Sequence, residues 1–133
     1  MDRKIGEQGE KLGIDDIDLR NVDLSHYPLD QAYITACTFD GMNLNYKDIS
    51  SSLLCSSTFI SANLEGADFC KSNVSYVDFT NANIKAARFA DSECIETVFV
   101  NADLSEANLV AGLFEEKDFR NAVLLNADIR LAI

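Results

Sequence analysis

Few side chains in this sequence could carry out nucleophilic, acid–base or metal chemistry. The candidates are one histidine and four cysteines: His26, Cys37, Cys55, Cys70 and Cys94. A catalytic nucleophile needs a base within hydrogen-bond reach and a third group that orients the base, and the sequence offers His26 no such partners. The cysteines form no CxxC pair and lack metal-ligand spacing, and the motifs GxxxxGK(S/T), GxGxxG and HExxH do not occur. We therefore expect no enzyme activity, no cofactor and no metal site.

The charge of the chain limits the kind of partner that it can bind. The sequence has 22 acidic residues against 11 Lys and Arg residues, and its formal net charge is −11. Contact with phosphate groups needs clustered Lys and Arg, so we expect no direct binding to nucleic acid and none to an anionic membrane. An acidic surface suits solubility or a basic partner. The expected partner is therefore a protein.

The start of the chain and its hydropathy predict a cytoplasmic protein. Residues 1–7 contain no apolar core of a signal peptide, so we expect no secretion signal. No run of about eighteen apolar residues occurs, so we expect no transmembrane helix. Cysteines without a pairing pattern are typical of a reducing compartment, where thiols stay free.

A five-residue repeat orders the hydrophobic residues. Every fifth residue from Ile14 to Ile129 is Leu, Ile, Val or Phe, with Cys94 as the exception among 24 positions, and all eight Phe residues lie on this ladder. Two residues before each ladder residue there is a smaller position, which in the later repeats is chiefly Ala: Ala62, Ala67, Ala82, Ala87, Ala102, Ala107, Ala122 and Ala127. The residue between the two is often Asp or Asn. A period of five fits neither an α-helix nor a plain strand.

The odd period predicts a corner in every repeat. Residues two apart on a strand share a face, so the small residue and the ladder residue point the same way. Five is odd, and an uninterrupted strand would turn every second repeat inside out, so a turn of Asp, Asn, Ser and Gly must reset the alternation. Ladder residues that are twenty positions apart are of similar type, as in Leu19, Phe39, Phe59, Phe79, Phe99 and Phe119. Four repeats therefore make one coil, and the ladder makes about six coils, roughly 29 Å of stack at a strand spacing of ~4.8 Å.

The pattern A(D/N)LXX resembles that of the pentapeptide-repeat proteins, from about Leu12 to Leu131. The resemblance implies an all-β fold, a right-handed quadrilateral parallel β-helix. We expect residues 12–133 to form this solenoid and residues 1–11 to be an N-terminal cap or a disordered segment. Some residues depart from the pattern because they put a large or charged side chain at the small inward position: Ile17, Tyr27, Met42, Lys47 and Lys117. A buried unpaired ammonium is costly, so we expect the two lysines to reach out to solvent or to distort their corners.

The outward positions predict three candidate surfaces. The acidic face, which flanks Ile14, Ile34, Leu54, Val74, Cys94 and Phe114, carries six acidic residues and no base: Asp15, Asp16, Glu93, Glu96, Glu115 and Glu116. Uncharged coils in its middle carry an apolar strip: Tyr33, Leu53 and Tyr76. Exposed apolar patches can mark interaction sites, although outward positions of a repeat also vary freely. The third surface is the C-terminal end: Leu113, Val123, Leu125, Leu131 and Ile133.

The C-terminal end predicts a homodimer. An open coil end exposes unpaired strand groups and apolar side chains, which proteins usually cover. Pairing of two ends about a two-fold axis would cover both.

Two readings of function follow. The first is a non-catalytic protein-interaction scaffold whose partner is unassigned. The second comes from the resemblance: some pentapeptide-repeat proteins, among them the quinolone-resistance group, are dimeric acidic rods that look like duplex DNA and bind DNA gyrase. The uninterrupted repeat and the neutral middle of the acidic face favour the scaffold over this DNA mimic and topoisomerase inhibitor. A secreted effector or immunity partner is a third class, which no targeting signal supports.

Overall fold

The computed structural model describes residues 12–133, which form a stack of parallel coils. Strand β1 (Gly13–Asp15) pairs in parallel with β2 (Tyr33–Thr35) at a separation of twenty residues. Single-residue parallel bridges continue the same pairing to the last coil. Residues 12–133 contain no helix that is long and apolar enough to cross a membrane. The predicted cap or disordered segment, residues 1–11, lies outside the described residues.

Most five-residue units are tied through the backbone to the coils on both sides. At one unit, the N–H of Phe59 donates to Asp78 O at 2.8 Å on the next coil. The N–H of Thr58 donates to Cys37 O at 2.9 Å on the previous coil. The same bonds recur along most of the stack. Because every coil contacts only its neighbours, stability is distributed along the stack.

Each side of a coil ends in a tight turn that resets the strand alternation. At one corner the N–H of Ala62 donates to Phe59 O at 3.1 Å, and Ser61, the third residue of the turn, has a φ of 57°. A positive φ at this position alone is typical of a type II turn. Of the 24 corners within residues 12–133, 22 have this left-handed residue, and those at Asn21 and His26 do not. Four corners complete one coil, so the predicted all-β, four-sided architecture is confirmed.

The Asp or Asn before many ladder residues has a structural task at the corner. Its Oδ1 accepts the N–H of the residue two positions on, as Asp68 does from Cys70 at 2.8 Å. Amide side chains also bond to each other between coils. Asn63 Nδ2 donates to Asn43 Oδ1 at 3.1 Å, and Asn83 Nδ2 donates to Asn63 Oδ1 at 3.2 Å. These short side chains stabilise the turn because they satisfy a backbone donor locally.

Two stacks of phenylalanine fill much of the interior. In the first stack the ring centroids of Phe39 and Phe59 are 4.5 Å apart, and the stack continues through Phe79, Phe99 and Phe119. The second stack consists of Phe69 and Phe89, 4.8 Å apart. The two stacks meet edge to face at 5.7–6.1 Å. Both arrangements are favourable for aromatic rings.

The ladder is buried along most of the stack and becomes exposed at its C-terminal end. Every ladder residue from Ile14 to Phe114 is buried. Phe119 is half-buried, whereas Leu124 is 40% exposed and Ile129 is 62% exposed. The small inward position is buried throughout residues 52–112, where Ala, Ser, Thr, Val and Gly occupy it. The interior is therefore solid side chain, and any binding site must lie on the outside or between coils.

Candidate functional surfaces

The structure places all six carboxylates of the acidic face on the surface: Asp15, Asp16, Glu93, Glu96, Glu115 and Glu116 are exposed. Two of them accept hydrogen bonds from neutral neighbours on the same face. Thr35 Oγ1 donates to Asp15 Oδ1 at 2.6 Å, and Asn73 Nδ2 donates to Glu93 Oε2 at 3.0 Å. Within residues 12–133, the ion pairs lie on other faces of the stack. The acidic face is thus a negative surface at both ends of the rod.

The apolar strip lies in the uncharged middle of the acidic face. Tyr33 and Leu53 are bridged neighbours on adjacent coils, and Tyr76 stands one coil further, at the opposite edge of the face. Tyr33 is 51% exposed and Tyr76 is 55% exposed, but Leu53 is half-buried. The two tyrosines are therefore the groups that a partner would contact, and Leu53 forms the floor beside Tyr33.

The last coil exposes apolar side chains. Of the residues predicted there, Val123, Leu125, Leu131 and Ile133 are exposed by 47–79%. Leu113 stands apart: it is half-buried on the acidic face, where it pairs with Glu93. The sequence-based set also lacked the exposed ladder residues of the last coil, Leu124 and Ile129. These two line a concavity of about 210 Å³ together with Phe114 and Phe119.

Lys47 and Lys117 leave the narrow inward position in different ways. Lys47 is half-buried, and its Nζ donates to Leu24 O at 2.7 Å on the previous coil. Burial lowers the pKa of Lys47, and the nearby Asp23 carboxylate acts in the opposite direction. Lys117 is exposed, and in the described part of the chain its N–H makes no turn bond to Phe114 O. The Lys47 ammonium is thus satisfied by a backbone carbonyl, whereas the Lys117 side chain reaches solvent.

The repeat matches a known family. A family model described as pentapeptide repeats matches eight copies over residues 48–85, 82–116 and 98–133, which together cover well over half of the chain. The chain belongs to the pentapeptide-repeat family. Residues 12–47 lie outside the match, and most of the large inward residues of this pentapeptide-repeat protein fall there or directly at its border.

Solved structures of other pentapeptide-repeat proteins share the fold. One from the Arabidopsis thaliana thylakoid lumen has a TM-score of 0.66 and 24% identity, over 68% of this chain and 63% of that chain. HetL, involved in heterocyst differentiation regulation in the cyanobacterium Nostoc sp., has a TM-score of 0.44 and 22% identity, over 90% of this chain and 60% of that chain. The alignment therefore spans less than two thirds of the length of either protein.

A third solved relative is QnrB1, a plasmid-mediated fluoroquinolone resistance protein, with a TM-score of 0.41 and 17% identity, over 88% of this chain and 70% of that chain. No curated protein matches. The likeness to the thylakoid-lumen protein shows the fold, so the chain is a right-handed quadrilateral parallel β-helix.

None of the four cysteines forms a disulfide bond. Cys37 and Cys94 are buried in the interior, Cys55 and Cys70 are half-buried, and all four are free thiols. Burial raises the pKa of the Cys94 thiol to about 12. His26 is exposed at a corner of the first coil. Among the residues described, no group of His, Cys, Asp and Glu is arranged to hold a metal ion.

One feature of the surface was not predicted from the sequence: a polar cleft between the first two coils, lined by residues that include Asp23 and Lys47. The large inward residues Val22, Met42 and Lys47 were the available signal. These side chains are too large for the narrow inward position. Whether they turn outward or push the coils apart depends on their contacts with the adjacent coil, twenty residues away in the sequence.

Proposed function

We propose that this pentapeptide-repeat protein is a non-catalytic scaffold that binds a protein partner through the apolar strip. The observation that carries the proposal is the pair of exposed tyrosines, Tyr33 and Tyr76, on one face of a rod whose interior is solid. Tyrosine is enriched at protein interfaces because it offers a large apolar ring and a polar tip. A rigid β-helix presents both rings on a fixed surface, so little conformational entropy is lost on binding.

The carboxylates around the strip fit the rim of such an interface. Asp15 and Asp16 lie on the coil before the strip, and Glu93 and Glu96 lie on the coil after it. Charges at a rim orient the partner and raise the association rate more than they raise the affinity. The partner is therefore expected to present apolar groups with basic residues around them.

The proposal is tested by quantitative pull-down with the double variant Tyr33→Ser, Tyr76→Ser against the native protein. The matched control is Tyr46→Ser, since Tyr46 is 71% exposed but lies on another face. We expect a partner that is recovered by the native protein and the control and is lost, by at least tenfold, with the double variant. Equal recovery by all three baits would refute the role of the strip.

We propose a second candidate function, an acidic DNA mimic that binds DNA gyrase, because the acidic face carries six exposed carboxylates and its only adjoining exposed base within residues 12–133 is Lys117, beside Glu116. The uncharged coils in its middle weigh against a continuous phosphate-like stripe. The test is inhibition of gyrase supercoiling by the purified protein at low and at high salt. Inhibition that disappears at high salt, and with Glu93→Lys and Glu96→Lys, would support the mimic. Full supercoiling at low micromolar protein would exclude it.

We also propose that two copies pair through the C-terminal end. The surface is apolar, and within residues 12–133 the N–H groups of Phe119, Leu124 and Ile129 make no backbone hydrogen bond. A second copy would cover both kinds of group. Light scattering at micromolar concentration should give about twice the 14.7 kDa of one chain, and Leu131→Glu should give one chain. A native mass of one chain would contradict the pairing.

A further inference from the structure

The backbone pairing between the first two coils is interrupted on two sides. The N–H of Leu19 donates to Thr38 O at 2.9 Å, and the N–H of Gln31 donates to Ser50 O at 2.8 Å. Between these two points, no backbone hydrogen bond joins residues 21–29 to residues 40–48, both of which the structure describes. The two corners without a left-handed residue, at Asn21 and His26, lie in the same stretch.

Large side chains at the narrow inward position account for the interruption. Val22, Tyr27, Met42 and Lys47 occupy this position on the facing sides of the two coils, and all four are half-buried. Residues 52–112 have mostly Ala, Ser or Thr at the same position, fully buried, and there the backbone pairing continues. Because a packed interior has no spare volume, the larger side chains keep the two coils apart.

The separation opens a cleft of about 360 Å³ between the coils. Its polar wall is formed by Asp23 and Ser25 on the first coil and by Asn43, Tyr46 and Lys47 on the second. The coils are hydrogen-bonded on either side of the cleft, so an additional strand cannot enter between them. The volume lies at the lower end of the range for small-molecule sites, which limits the occupant to a small molecule.

Opposite charges line this cleft without pairing to each other. Lys47 Nζ donates to Leu24 O at 2.7 Å, and Asp23 Oδ1 accepts from Ser25 N at 2.9 Å and from Ser25 Oγ at 2.7 Å. Within the described residues, neither charge has an ion-pair partner. An ammonium has three donors and a carboxylate has two acceptor oxygens, so both groups keep capacity for a ligand.

We propose that the inter-coil cleft binds a free amino acid with an apolar side chain. The ligand carboxylate would accept from Lys47, and the ligand ammonium would donate to Asp23, in charge-assisted hydrogen bonds. Val22 and Met42, both half-buried, line the cleft and provide apolar surface for the ligand side chain. This site is independent of the apolar strip, which lies on another face of the stack.

The first experiment uses L-leucine as the probe and amide chemical shifts of the full ¹⁵N-labelled protein as the readout. We expect saturable shifts confined to residues 22–25 and 42–47. N-acetyl-L-leucinamide, which has the same side chain without either charge, should bind at least tenfold more weakly. Absence of saturable shifts with L-leucine, or equal binding of the uncharged analogue, would overturn the proposal.

Two variants test the charged residues while they preserve the local fold. Lys47→Ser introduces the residue found at Ser52 and Ser72, whose hydroxyls reach the equivalent carbonyls at 2.6 and 2.8 Å. Asp23→Asn keeps the oxygen that accepts the N–H of Ser25. Each should weaken L-leucine binding at least tenfold, whereas Lys85→Gln, on the same side of the stack outside the cleft, should not. Binding of native strength in both cleft variants would contradict the assignment.

Discussion

At the scale of single residues, the corners show how the repeat tolerates almost any sequence. The third residue of each turn has a positive φ, yet within residues 12–133 only Gly41 and Gly66 meet this requirement with glycine. The sequence predicts a turn in every repeat and places Asp and Asn next to it. It does not predict left-handed residues such as Lys71 or Ala86, because their strain is offset by backbone bonds to the next coil, at 2.9 Å to Ala90 O and 2.8 Å to Ser105 O.

The cost of the left-handed residues can be measured with a matched pair of substitutions. Gly41→Ala should lower the free energy of unfolding by about 1 kcal/mol, because alanine is strained at this φ. A Cβ at Gly41 would meet no atom within 4 Å, so the loss reports backbone strain alone. Ala86→Gly should have the opposite sign, up to about 1 kcal/mol. Chemical denaturation of both variants checks this, and a stabilising Gly41→Ala would contradict it.

The surface ion pairs give a prediction about pH. Arg20 Nη2 donates to Asp18 Oδ2 at 2.6 Å, and these bonds hold the pKa of Asp18 at about 2, below its ordinary value of 3.8. Because the pKa of the folded state is lowered, the stability that Asp18 contributes is present above about pH 4 and is lost as the pH falls towards 2. Arg20→Gln should raise this pKa, whereas Arg130→Gln should not change it. A carboxyl NMR titration measures both, and native Asp18 titrating near 4 would contradict the pairing.

At the scale of elements, the interior follows from the five-residue ladder with little ambiguity. Residues twenty positions apart are expected to stack on adjacent coils, so the sequence predicts that Phe39 stacks on Phe59. The structure confirms this stack. The separation of the first two coils could not be predicted. Met42 and Lys47 show that the narrow position is overfilled, but the gap depends on non-local packing against Val22 and Tyr27.

The phenylalanine stack should dominate the response to core substitutions. Phe79 is fully buried between Phe59 and Phe99, with centroids at 5.3 and 5.2 Å. Phe79→Ala should lower the free energy of unfolding by about 3–5 kcal/mol, because it leaves a cavity in a packed interior. Phe119→Ala should cost less than half as much, since Phe119 is half-buried at the end of the stack. Denaturant melts of the two variants decide this, and equal losses would contradict the burial gradient.

At the scale of the whole molecule, the distribution of side chains over the four sides sets the possible interactions. The acidic residues and the apolar strip could be assigned to one side of the stack from the sequence. The position of a residue within the twenty-residue coil determines the side on which it lies. Their exposure could not: Leu53 is half-buried, whereas Tyr33 and Tyr76 are exposed. These differences arise from neighbouring side chains on adjacent coils, which the five-residue pattern does not specify.

The rigid rod presents its charged and aromatic groups together, so the physical basis of binding is open to a direct test. If Tyr33 and Tyr76 supply most of the affinity, burial of their rings dominates and salt has little effect. If the carboxylates dominate, binding is screened as the ionic strength rises.

The measurement that tests the scaffold most directly is the affinity of the recovered partner at about 0.05 M and at about 0.5 M salt. We expect the two dissociation constants to agree within about threefold, because apolar contacts to the tyrosines are not screened. The double variant Tyr33→Ser, Tyr76→Ser should lose binding at both salt concentrations. Weakening of the native complex by about a hundredfold or more at the higher salt, with the double variant still bound at the lower salt, would contradict the apolar strip as the binding site.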